Sequence, residues 1–149
     1  MKPAFACSLL LTLLTSCGGD VGPPLSATDI TVFAPLPGRS TSAAYMTLHN
    51  DSDKAIILTE VSSPLFASVE MHESSLTDGI ARMHKLESLT IEAGSSMRFA
   101  VGAKHLMLID PLQDLVPGDS ISLELNYDDG GILICSAPLQ TRRKRGDGE

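Results

Sequence analysis

The 149-residue chain has no tryptophan, only 4% aromatic residues, and few basic side chains: 11 Lys and Arg against 18 Asp and Glu. The resulting net charge of −7 argues against nucleic acid as a partner, because phosphate binding needs a concentrated basic surface. The one basic cluster, Arg142-Arg143-Lys144-Arg145, sits in a tail that also holds Gly and Asp. Signatures of common enzymes are missing as well. There is no Gly-x-Ser-x-Gly elbow, no P-loop and no dinucleotide fingerprint, so the chain reads as a non-enzyme. At 43% apolar it is too hydrophobic for a disordered protein, and its length suits one domain with a self-sufficient core.

What is present begins with an address. Met1-Lys2 is a short positive start, and the apolar run Ala4 to Leu14 that follows is too short to span a bilayer. Leu14-Thr15-Ser16-Cys17 resembles the bacterial lipobox, in which a cysteine is lipidated and becomes the new N-terminus. Residues 1–16 are therefore expected to be a lipoprotein signal peptide whose loss removes only Lys2 among the charges. The mature protein would hang from a membrane through Cys17, in the bacterial cell envelope on the periplasmic side. Residues 17–27, with Gly18, Gly19, Gly22, Pro23 and Pro24, read as the lipidated cysteine and a flexible tether.

Cysteine usage is sparse enough to exclude a disulfide. Of three cysteines, Cys7 goes with the signal and Cys17 takes the lipid, leaving Cys135 without an intramolecular partner. Its neighbours Ile132, Leu133 and Ile134 suggest a buried, inert thiol.

Residues 28–140 are dominated by a period of two. Ser120 to Tyr127 alternates apolar and polar without a slip, Asp128-Asp129-Gly130-Gly131 turns the chain, and Ile132 to Ala137 returns. Further strands are predicted at Ile30–Phe33, Ala44–His49, Ala55–Val61, Leu65–His72, Ala81–Leu86, Leu89–Ile91, Met97–Val101 and His105–Asp110. Short strands, frequent turns and no long amphipathic helix indicate an all-β sandwich or Greek-key barrel. The tail 141–149 has nothing apolar to bury and is expected to be disordered.

Two strands carry polar or soft residues where the alternation leaves no structural need for them. In Leu65–His72, Leu65, Ala67, Val69 and Met71 share one face, leaving Phe66, Ser68, Glu70 and His72 on the other. In His105-Leu106-Met107-Leu108 the leucines turn inward, which forces His105 and Met107 outward together. A hairpin through Asp78-Gly79 would bring Met83 across from His72. Two imidazoles and two thioethers make a poor site for calcium or magnesium and a good one for copper(I). The absence of a cysteine ligand disfavours a blue-copper centre. Glu73, beside His72, is a candidate to orient an imidazole from behind. His49 and His84 read as surface histidines, and Met46 and Met97 as core fillers.

The spacing His72, ten residues, Met83, twenty-one residues, His105, one residue, Met107 resembles the metal signature of the periplasmic copper chaperones called PCu(A)C. Ala44-Tyr45-Met46-Thr47-Leu48, Ser62-Ser63-Pro64, Met71-His72-Glu73, Gly94 and Pro117-Gly118-Asp119 are similar to that family too. The resemblance implies a cupredoxin-like or immunoglobulin-like Greek-key β-sandwich, with copper(I) held by His72, Met83, His105 and Met107. It also implies transfer to a copper-accepting protein such as a respiratory oxidase subunit, by a monomeric carrier. The His- and Met-rich tail of some relatives is missing here. Copper buffering, or a membrane-tethered interaction module without a metal, stay open as alternatives.

Overall fold

The computed structural model describes residues 23–142. The expected signal peptide, Cys17 and the tail beyond Arg142 lie outside the described residues. Ten strands follow one another: β1 (Leu25–Phe33), β2 (Thr41–Asn50), β3 (Ile56–Ser62), β4 (Phe66–Thr77) and β5 (Ile80–Leu86), then β6 (Leu89–Ile91), β7 (Ser96–Phe99), β8 (Lys104–Pro111), β9 (Ser120–Tyr127) and β10 (Ile132–Gln140). Each predicted strand is present, and a single 3-10 turn at Asp128–Gly130 separates β9 from β10.

The strands form two layers. One runs β5-β4-β8-β2-β1, with β7 beside β8 along the same edge of β2; the other runs β10-β9-β3-β6. They join where β1 and β10 pair in parallel, Val32 opposite Leu139. Consecutive strands β3 and β4 lie in different layers, the kind of crossover a Greek-key sandwich uses. Apolar residues from both layers, among them Leu48, Leu58, Leu106, Leu108, Leu123 and Leu125, merge into one buried core. Removing each such side chain from water stabilises the fold by about 1.5–3 kcal/mol before entropy is counted.

Several strand ends differ by a few residues from the sequence reading, and two differences bear on the packing. β1 starts at Leu25, inside the stretch read as tether; Leu25 is fully buried and pairs with Asn50. Alternation hides this strand because its register slips between Thr28 and Thr31, with Asp29 in the left-handed region at φ 53°. Phe66, assigned to the outer face of β4, is instead buried, while Ala67 is exposed. Phe66 is the first residue of β4, where strict alternation lapses and its side chain joins the core cluster that also holds Val61.

Asn50 closes the far end of β2. Its side-chain amide donates to the carbonyls of Lys54, Ile91 and Glu92, and its carbonyl oxygen accepts from Ser52. A buried polar group so well satisfied is a structural joint between the layers.

Candidate metal centre

β4 and β8 run antiparallel with His72 directly opposite His105. Alternation around them holds: Met71, Leu106 and Leu108 are buried in the core, which turns His72, His105 and Met107 to the other face of the layer. The two imidazole centroids are 5.9 Å apart. Met107 sits two residues beyond His105 on that face, opposite Glu70 of β4 and Ala43 of β2.

Met83 reaches the same face by another route. Asp78 and Gly79 both take positive φ, 54° and 76°, and close a two-residue hairpin with Thr77 opposite Ile80. This register pairs Met83 with Ser74 and sets Lys85 opposite His72. Met83 is thus not across from His72 as expected but one diagonal step away, about 7–8 Å in such a ladder. The difference of two residues arises because the turn is centred between Asp78 and Gly79, one residue later than the midpoint of His72 and Met83. Parity survives the shift, so Met83 remains on the face of His72. Its side chain is 51% exposed.

His105 is outward from the core yet only 9% exposed, because Tyr45 and His72 cover it. Phe33 packs edge-on against Tyr45, and the Arg142 guanidinium lies 5.3 Å above the Phe33 ring. The first residues of the tail therefore cap an aromatic row that ends at the paired histidines. His105 Nδ1 is 3.0 Å from the Ala103 carbonyl oxygen. A carbonyl only accepts, so Nδ1 carries the proton and Nε2 keeps its lone pair in the neutral ring.

His72 has one nitrogen occupied and one not. Its Nε2 is 2.8 Å from Glu70 Oε2, whereas Nδ1 is buried without any hydrogen-bond partner, the one such side-chain atom among the described residues. A buried nitrogen without a partner, on a ring beside a second imidazole, is a fit for a metal ion. Among the described residues no group of three or more His, Cys, Asp or Glu is gathered for a metal; the thioethers Met107 and Met83 lie on the same face as the imidazole pair. Sulfur and imidazole together suit a soft, monovalent ion.

Glu73 does not serve this pair. As the neighbour of His72 it points to the opposite face, where its oxygens meet Lys104 Nζ at 2.8 Å and His84 Nε2 at 3.5 Å. The Lys104 hydrogen bond holds the Glu73 carboxyl below the usual value. Glu70, which sequence reasoning passed over as an orienting group, has that place. Hydrogen bonds from His72 and then Lys85 lower its pKa. The clue was parity, since Glu70 and His72 are two apart on one strand.

The remaining expectations are mixed. His84 is exposed, and His49 bridges Thr28 and Ser96 at 2.8 Å on each side, both away from the metal candidates. Met46 is core, and Met97 packs partly against it. Cys135 is half-buried, and burial pushes its thiol up to about 11. Its neighbours Ile132 and Ile134, read as part of an apolar surround, are exposed because β10 turns them outward.

The family described as "Putative lipoprotein LpqE-like" matches residues 25–139. "Uncharacterized protein RP573" of Rickettsia prowazekii is 33% identical over 91 residues, 60% of this chain and 50% of that protein. "Putative lipoprotein Lxx21020" of Leifsonia xyli subsp. xyli is 28% identical over 104 residues, 69% of this chain and 63% of that one. The chain thus spans about half to two-thirds of the length of these relatives. Among solved structures, the copper-bound PCuAC domain from PmoF2 superposes with a TM-score of 0.66 at 21% identity, covering 80% of this chain and 94% of that one. The copper(I) form of DR1885 from Deinococcus radiodurans gives 0.62 at 30% identity, covering 80% and 78%. The chain belongs to the LpqE-like lipoprotein family and has the β-sandwich fold of the PCuAC domains.

Proposed function

We propose that this protein is a lipid-anchored copper(I) carrier of the bacterial cell envelope, working on the periplasmic side. His72, His105, Met107 and Met83 would hold one copper(I) ion as cargo. The observation that carries this reading is the facing pair of imidazoles, one with an orphaned buried nitrogen, on a face shared with two thioethers. The copper-bound relatives of the same fold support it. Neutral nitrogen and sulfur donors leave the single positive charge of copper(I) uncancelled, which favours the monovalent ion over harder divalent ones.

Release follows from the exposure of one donor. Met83 is half in solvent, so a thiolate or imidazole of an accepting protein displaces it first and the other donors in turn. Copper passes by ligand exchange without becoming free, to an acceptor such as a respiratory oxidase subunit. The lipoprotein description of the family and of the Leifsonia relative supports the anchor at Cys17. Only eight chain steps separate Cys17 from Leu25, at most about 29 Å fully extended, so the sandwich would stay close to its membrane.

Titration with copper(I) under reducing conditions tests the reading. One ion per chain is expected, and an unchanged stoichiometry in Met83→Ala/Met107→Ala would overturn the assignment. Transfer to an apo oxidase copper-centre domain distinguishes delivery from buffering.

A further inference from the structure

The side chain that decides how His72 meets a metal is Glu70. Its Oε2 lies 2.8 Å from His72 Nε2 and its Oε1 3.1 Å from Lys85 Nζ. These three residues are neighbours by register, with Lys85 opposite His72 across the β4–β5 ladder and Glu70 two residues earlier on the same face of β4. A carboxylate only accepts, so His72 Nε2 must carry the hydrogen, and in the neutral ring the lone pair is left on Nδ1. That is the nitrogen buried with no partner.

We infer that Glu70, clamped by Lys85, is a positioning residue that fixes the His72 ring so that Nδ1, and not Nε2, is offered to copper(I). The inference rests on the copper reading above and goes beyond it. His105 is fixed in the opposite sense, since the Ala103 carbonyl takes its Nδ1–H and leaves Nε2. The facing imidazoles would therefore bind through different nitrogens, Nδ1 from β4 and Nε2 from β8.

The clamp has a second consequence. Glu70 sits opposite Met107 and beside His72, within the ring of candidate donors, yet both its oxygens are engaged. A hard oxygen donor that stays occupied leaves the donor set soft, which keeps the preference for copper(I) over copper(II). Freeing Glu70 from Lys85 would weaken that preference.

Histidine nitrogen NMR on the full chain tests the clamp before and after loading. The apo protein is expected to show a slowly exchanging His72 Nε2–H that Glu70→Ala loses, with little change in thermal midpoint. On loading, the large nitrogen shift should fall on Nδ1 of His72 and on Nε2 of His105. Copper(I) affinity should drop about 10- to 100-fold in Glu70→Ala, the usual cost of losing a partner behind a metal ligand. Glu70→Gln keeps a neutral acceptor and should lose less. In Lys85→Met, the ratio of copper(II) to copper(I) affinity should rise. A copper-induced shift on Nε2 of His72, or undiminished affinity in Glu70→Ala, overturns this inference and leaves the copper reading standing. A parent chain that takes up no copper(I) overturns both.

Discussion

β8 and β5 both contribute to the candidate centre, and they are opposite kinds of strand. β8 is flanked by β2 and β4, and Leu106 and Leu108 are fully buried beneath it. β5 is an edge strand with one neighbour, and all its residues but Leu86 are exposed. His105 and Met107 are thus mounted on a strand flanked on both sides, and Met83 on an exposed edge strand. His72, on β4 between the two, is held by both. For the carrier proposed above this asymmetry would serve both needs: donors on a flanked strand would preorganise the site, and an exposed edge donor would let a partner begin exchange.

The comparison can be broken in several ways. The largest effect is expected on the inner side of β8, where Leu106→Ala should cost about 2–5 kcal/mol in denaturant unfolding by leaving a cavity. Met107→Ala, on the outer side of the same strand, should stay within about 1 kcal/mol. Equal losses would mean that the two faces of β8 are not divided between core and site. Next come the imidazoles: His72→Ala or His105→Ala should reduce copper(I) affinity by more than the ~100-fold that an outer partner can cost, read by competition with a colourless chelator. A smaller contrast separates the thioethers. Met107→Ala should weaken affinity more than Met83→Ala, whereas Met83→Ala should change the rate of copper release more, as followed by stopped flow. The reverse pattern would put the first exchanging donor on β8.

The smallest effect concerns Cys135. With its thiol pushed up to about 11 by burial, the thiolate is scarce at neutral pH. In a Cys7→Ser/Cys17→Ser background, alkylation should be slow at pH 7 and accelerate as pH climbs toward that value. Fast modification at pH 7 would show that β10 opens readily. The sign follows from desolvation, which disfavours the charged form of an acid.

Strand positions were legible because each buried face repeats with period two, from Ile121-Leu123-Leu125 to Leu106-Leu108. The outward placement of His105 and Met107 was legible for the same reason. Leu25 was not, because the slip near Asp29 breaks the pattern between it and Val32. Glu73 drew attention by adjacency to His72, but adjacency in a strand means opposite faces. Glu70, the side chain that touches His72, shares its face by parity, but that its carboxylate lies between His72 and Lys85 depends on the β4–β5 register.

By itself the sequence determined the class of fold, most of the residues that alternate into the core, and the distinctive spacing of two histidines and two methionines. Those properties are local, written in side-chain type and in the two-residue repeat of a strand. Only the tertiary structure decided that His72 stands opposite His105, that Met83 lies one diagonal step off, and that Glu70 and Lys85 hold the ring. Pairing register depends on turn length and on which distant strands meet, and neither follows from any one strand read alone.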